Sequence, residues 1–149
     1  MTGGVLSEAE VAAIEHACRS LVMDSVHMVD TQNYEALCAL FSEDAIFTRP
    51  TGEQVKGRDG ILKAYQARPK GRVTRHVCGN VRIMVESSAR AHATSYIVLY
   101  TASAEEVPDG HFGIKADARQ LVGEFDDEFV CTGAGWRLAA RRARFVLHT

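Results

Sequence analysis

The spacing at which apolar residues recur changes once along this chain, and that change limits its possible folds more than any other feature. Up to about Pro69 the spacing is helical; from Arg72 onward it is two. In the front part Val11, Ile14, Cys18, Leu21, Val22, Ser25, Met28 and Val29 fall on one stripe. Ser7-Glu8-Ala9-Glu10 ahead of them has the form of a capping box, so one long amphipathic helix is predicted from about Ser7 to about Asp30. Thr31-Gln32-Asn33 breaks the stripe. Asn33 caps a second, short helix carrying Tyr34, Leu37, Leu40 and Phe41, which Ser42-Glu43-Asp44 closes. Ala45–Thr48 reads as a short strand ended by Arg49-Pro50, and Thr51-Gly52-Glu53 as a turn. Lys56-Gly57-Arg58-Asp59 leads into a third helix with Ile61, Leu62 and Tyr65 on one face, stopped by Pro69-Lys70-Gly71.

The back part supplies four long strands, Arg72–Val85, Arg90–Ala102, Ala116–Cys131 and Gly135–Leu147, with a polar loop at Glu105–His111. Helices followed by a run of strands predict an α+β domain, its helices on one face of an antiparallel sheet. Such a sheet, strongly twisted, wraps around the long helix and leaves a pocket between them. With 149 residues, 46% of them hydrophobic, the chain is long and apolar enough for one domain over 1–149 with a full core. A formal net charge of −2 gives no basic field for nucleic acid. No apolar run of about 18 residues is present to span a membrane. Met1-Thr2-Gly3-Gly4 lacks the basic start and apolar run of a signal peptide, so a cytoplasmic protein is expected. Cys18, Cys38, Cys78 and Cys131 are far apart with no paired spacing, so no zinc or other metal site is expected. Buried free thiols are the expected state.

Three places draw attention for chemistry. Asp30 follows the apolar pair Met28-Val29 where the long helix ends, the wrong end of the helix dipole for a carboxylate. It reads either as a solvated turn residue or as a carboxylate held at the mouth of an apolar pocket. His76 shares one face of its strand with Thr74 and Cys78, while Val73, Arg75 and Val77 take the other. It is either an imidazole satisfied by the backbone or a general base oriented by a nearby carboxylate. On the third long strand Glu124, Asp126 and Glu128 form the wet side, with Leu121, Gly123, Phe125, Phe129 and Cys131 opposite. Asp127 is thereby left among apolar neighbours, where an unpaired charge is costly. Arg141 or Arg142 must point inward on the next strand, and a structural ion pair with Asp127 is expected. Asp109 and His111, in the polar loop, read either as part of a lid over the pocket or, as expected here, as solvated loop residues.

Read in order, these segments resemble SnoaL-like domains of the nuclear transport factor two-like superfamily over nearly the whole chain. The resemblance rests on Val29–Leu37 followed by Phe41–Ala45, on Gly57-Arg58-Asp59-Gly60-Ile61 and on Arg75–Val81. Gly123–Phe129 with Gly135-Trp136-Arg137-Leu138 completes it. It implies a cone-shaped roll, a strongly curved mixed or antiparallel sheet wrapped around the long N-terminal helix with two shorter helices. Scytalone dehydratase, bile acid dehydratase and hexachlorocyclohexane dehydrochlorinase in that superfamily share an Asp–His dyad, onto which Asp30 and His76 fall. The resemblance implies that His76 removes a proton from carbon beside a leaving group and that Asp30 orients the ring. Arg141 stands where the dehydrochlorinase places an arginine, suited to developing negative charge. Tyr34, Phe47, Cys78, Tyr96, Val98, Phe125 and Phe129 are the implied walls of the substrate pocket. The chain departs at Val98, Val29 and Ser25, where relatives carry histidine, tyrosine and lysine. The implied function is a lyase or isomerase acting on a small hydrophobic, cyclic or aromatic-derived substrate without metal or organic cofactor. The alternative is a non-catalytic ligand-binding or assembly domain, like the small subunits of ring-hydroxylating dioxygenases. Either implies a homo-oligomer, dimer or trimer.

Overall fold

Ser7 starts the long helix by a reciprocal pair of hydrogen bonds. The Glu10 amide donates to Ser7 Oγ at 3.1 Å and the Ser7 amide to Glu10 Oε2 at 2.7 Å. The expected capping box is therefore formed, and Glu8 and Glu10 lie at the favourable end of the dipole. In the computed structural model, which describes residues 4–103 and 105–149, this helix, α1, spans Glu8–Asp30. Met1-Thr2-Gly3, part of the stretch read as lacking a signal peptide, lies outside the described residues.

A Schellman-type turn ends α1: the Gln32 amide donates to Val29 O at 3.1 Å and the Asn33 amide to Met28 O at 2.9 Å. Gln32 takes the left-handed position, φ 56°, where glycine is usual. Its side chain is occupied, donating to Lys70 O and Arg72 O at 3.2 and 2.9 Å. Those bonds tie the end of the helix to the start of the first long strand.

Asn33 caps α2, Tyr34–Ala39, through a bond from the Ala36 amide. The helix is shorter than expected. Phe41 begins strand β1, Phe41–Thr48, and Ser42-Glu43-Asp44 belongs to that strand. A short apolar run fits either period, and here burial of Phe41 opposite Leu138 decides for the strand. Strand β2, Gln54–Lys56, was not expected; it is a three-residue polar edge paired back onto β1 around Gly52, φ 88°. Helix α3 spans Arg58–Gln66. The long strands are β3, Arg72–Val85; β4, Arg90–Ser103; β5, Leu121–Thr132; and β6, Gly135–His148. Strand β5 starts later than the expected Ala116, because the Asp117 amide is already spent on Thr101 O at 2.8 Å.

The six strands form one sheet in the order β2-β1-β6-β5-β4-β3, with β1 parallel to β6 and every other pair antiparallel. It is thus a mixed sheet. Breaks of register in β3 between Gly79 and Arg82, and in the β5–β6 pair at Val122/Gly123 and Glu128/Phe129, add local twist. The sheet curves into an open, cone-like roll. Against its concave side α1 lies across β3, and Cys18, Val22, Leu37, Phe41, Ile61, Phe129 and Leu138 fill the closed end. A smaller apolar group, Val26, Ile97 and Leu99, lies nearer the opening. Cys18 and Cys38 are buried free thiols, and burial pushes them up to about 12 and about 11. Cys78 is half-buried. Cys131 corrects the expectation, because it is exposed opposite Trp136 at the hairpin end of β5. No helix among the described residues is long and apolar enough to cross a membrane.

Candidate active site

Asp30 is the last residue of α1, and three donors meet its carboxylate. Thr74 Oγ1 donates to Oδ1 at 2.8 Å, the His76 amide donates to Oδ2 at 2.8 Å, and His76 Nδ1 lies 2.6 Å from Oδ1. All three come from β3, which Gln32 fastens to the helix end. Burial pushes the Asp30 carboxyl up, but the bonds and charge from His76, with the Thr74 hydroxyl, more than offset it and leave it below the usual value. An ionised Asp30 accepts only, so Nδ1 carries a proton toward it. A neutral His76 ring in this setting keeps its lone pair on Nε2, on the edge away from Asp30.

That ring lines a cavity of about 800 Å³ between the sheet and the helices. Val26 and Val29 of α1, Phe47 of β1, Tyr65 of α3, Ile97 and Leu99 of β4 and Phe125 of β5 give it apolar walls. Thr74, His76 and Arg141 bring polar groups to them. Arg141 is buried, its Nε and Nη2 donating to Asp127 at 2.7 and 2.9 Å and its Nη1 to Ser25 Oγ at 2.8 Å. Burial pulls its pKa down, but the Asp127 charge and bonds raise it above the usual arginine value, so the guanidinium stays charged. It also lies 4.0 Å from the centre of the Phe125 ring, a cation–π contact. Arg142, next in sequence, faces out. The buried ion pair and the inward arginine are as expected, and the same arginine forms part of the cavity wall.

The structure gathers some of the expected pocket residues and disperses others. Phe47 and Phe125 line the cavity. Tyr34 sits one layer behind, its ring 5.4 Å from that of Tyr65. Cys78 shares the inner face with His76 but lies among core side chains beyond the cavity wall. Phe129 is fully buried in the closed end. Tyr96 and Val98 are corrections. Residues directly opposite each other on paired strands point to the same side, and Val98 is opposite Val77, which is 60% exposed. The parity that turns His76 inward brings in Leu99 and Ile97 and turns Val98 and Tyr96 out. Sequence reasoning also missed Arg49, Arg68, Arg72 and Tyr65 as cavity lining. Only Tyr65 left a signal, its place on the apolar face of α3. Among the described residues no group of histidine, cysteine and carboxylate side chains is placed to hold a metal ion.

With this geometry in place, comparison with known proteins is informative at the level of fold and family. A sequence model of the SnoaL-like domain matches residues 10–142. No curated protein sequence matches the chain. Among solved structures, a candidate scytalone dehydratase from Novosphingobium aromaticivorans superposes with a TM-score of 0.80 at 22% identity, covering 96% of this chain and 91% of that one. The hexachlorocyclohexane dehydrochlorinase LinA-type3 from Novosphingobium barchaimii gives 0.80 at 18% identity, covering 96% and 93%. An NTF2-like protein with a cystatin-like fold from N. aromaticivorans gives 0.71 at 21% identity, covering 96% and 92%.

Proposed function

The chain belongs to the SnoaL-like domain family, and we propose that it is a cofactor-independent lyase or isomerase in which Asp30 and His76 act as a general-base dyad. The observation that carries this reading is the 2.6 Å contact between His76 Nδ1 and Asp30 Oδ1 beneath an apolar cavity that the His76 ring lines. In the proposed step Nε2 takes a proton from a carbon beside a leaving group. The C–H electron pair becomes the new π bond, and the leaving group departs with its own bonding pair. Asp30 holds the ring and offsets the charge of the imidazolium that forms. Arg141 offers a fixed positive charge in the wall; three of its five N–H groups are engaged, leaving two for a leaving group or an enolate. The substrate class is a small cyclic or aromatic-derived compound.

The assembly proposed with this reading is a homo-oligomer, dimer or trimer, joined on the outer face of the sheet. Val77, Val98, Val122 and Leu147 form one cross-strand row there, with Val77 and Leu147 exposed.

The test follows proton loss directly. Cyclic ketones carrying a hydroxyl or chloride beside an acidic C–H are incubated in D2O, and exchange or elimination is read by NMR. The wild-type protein is expected to accelerate one of them, and His76→Ala to lose about 10²–10⁴-fold of that rate with its circular dichroism unchanged. Asp30→Asn should lose most of it too. Rates untouched by both substitutions would remove the dyad and favour the non-catalytic ligand-binding or assembly reading.

A further inference from the structure

Toward its mouth the cavity wall changes from apolar to strongly cationic. Arg49, Lys63, Arg68, Arg72 and Arg144 line it there, with the buried Arg141 elsewhere in the wall, against two carboxylates, Glu53 and Glu124. Both carboxylates are engaged: Arg49 Nη1 contacts Glu53 at 3.1 Å, and Arg144 is bonded to Glu124. Arg141 is held by Asp127, and Asp30 by His76 and Thr74. That leaves Lys63, Arg68 and Arg72 with no carboxylate within 4.0 Å among the described residues. They come from the last turns of α3, the segment just after it and the first residue of β3.

These are not all freely solvated charges. Arg68 is half-buried, its guanidinium 4.3 Å above the Tyr65 ring. Burial pulls its pKa down, Tyr65 pulls it back, and Arg72 and Arg49 lower it further. Nε of Arg49 is buried without a hydrogen-bond partner. Holding several like charges together with a buried donor unmet is unfavourable in the empty protein. A neutral side chain would close the mouth at less cost. A guanidinium group, by contrast, fits an oxyanion in a planar, two-point contact. The arrangement also has a direction. Arg72, Thr74 and His76 follow one another on the inner face of β3, which sets Arg72 about 13 Å from His76 between Cα atoms.

We propose that the substrate is a ring compound carrying an oxyanion, a carboxylate or a phosphate ester, and that Arg68 and Arg72, with Lys63, bind this end while the ring lies over His76. The proposal deepens the proton-abstraction reading and rests on it only for the placement of the ring. It makes the mouth a specificity device, rejecting neutral analogues whose binding would leave the cations unpaired.

Binding can be measured without turnover. 2-Naphthoate, 2-naphthyl phosphate and neutral 2-naphthamide share one apolar body, and each is titrated into the full-length protein by calorimetry at low salt. At least one of the two anions is expected to bind ten-fold or more tightly than the amide. That preference should shrink to within about three-fold in Arg68→Gln/Arg72→Gln, and fall in 0.5 M salt for these part-exposed groups, where the screening length is only about 4 Å. The stronger anion tells a carboxylate from a phosphate ester. Should Arg68→Gln fail to fold, Arg72→Gln with Lys63→Gln, the latter at an exposed position, makes the same comparison. Equal binding of anion and amide, an undiminished preference in the variants, or no binding of any probe overturns the proposal. His76→Ala should keep the preference, so a protein that selects the anion yet exchanges no proton sinks the catalytic reading alone.

Discussion

A carboxylate at the negative end of a helix dipole is held there by three donors from one neighbouring strand. That is the physical content of Asp30, and the reason its pKa falls although burial opposes the fall. Its sign fixes a pH dependence. A folded-state value below the unfolded one gives stability that is fully present above the ordinary aspartate value, about 3.9, and is lost as pH falls through the lower folded value. In urea titrations at neutral pH, Asp30→Asn should therefore be less stable than wild type by about 1.5–3 kcal/mol, the range for hydrogen bonds to a charged group. The gap should close as the pH falls below the ordinary aspartate value and through the lowered Asp30 value. A gap that widens in that acid range would show the sign to be wrong. At this scale the sequence marked Asp30 and His76 as unusual, the first by its place against the dipole and the second by its company on the strand. Residue spacing did not join them, because 46 positions of separation carry no local signal; only the resemblance to SnoaL-like domains did.

Element by element, parity and bulges decide who faces the cavity. Strand periodicity put His76 on one face with Thr74 and Cys78 but did not say which face of the strand is the inner one. The cavity face of β4 could not be read in the same way, since apolar residues occupy both faces: Ile97 and Leu99 on one, Tyr96 and Val98 on the other. Pairing with β3 settles it, and no single strand contains that information. Another dependence of this kind is Gly123. It stands at the break of register between β5 and β6 and lines the cavity, and a Cβ added there would lie 2.6 Å from the Arg144 carbonyl oxygen. Gly123→Ala forces backbone to move, not a flexible side chain. A loss of about 1–3 kcal/mol in urea unfolding is expected. Hydrogen exchange should rise first in the Val122–Gly123 and Arg144–Phe145 segments; unchanged protection there would contradict the close approach. Polar brevity hid β2 altogether, as three residues of an edge strand carry too little pattern to be seen.

For the molecule as a whole, curvature is what separates a packed closed end from an open one. The thiols report it. Cys18 and Cys38, buried in the closed end and raised by that burial, should resist a thiol reagent at about pH 8 until the protein unfolds. Exposed Cys131 should be labelled first, and Cys131→Ser should abolish that fast phase. Fast labelling of Cys18 in the folded protein would mean that the closed end is not closed. The outer face carries the second prediction at this scale. Light scattering at micromolar concentration should give a dimer or trimer, and Val77→Glu with Leu147→Glu should shift it toward monomer. A monomeric wild type would leave the apolar row without the role proposed for it.

By itself, the sequence determined what depends on neighbours a few residues apart: a capped helix ending at Asp30, strands of fixed parity, the face that Thr74, His76 and Cys78 share, and an Asp127 that must find an arginine. Short-range hydrogen bonding and the burial of apolar stripes suffice for those, and both are written into local spacing. Tertiary structure alone decided which faces meet. It brought Asp30 onto His76, put Arg141 into a cavity wall, turned Tyr96 and Val98 away, and drew Arg68 and Arg72 to one mouth. Those outcomes rest on strand register, bulge-driven curvature and the seating of α1 across β3. They are set by the joint packing of distant segments, for which no stretch of sequence holds more than one side of the contact.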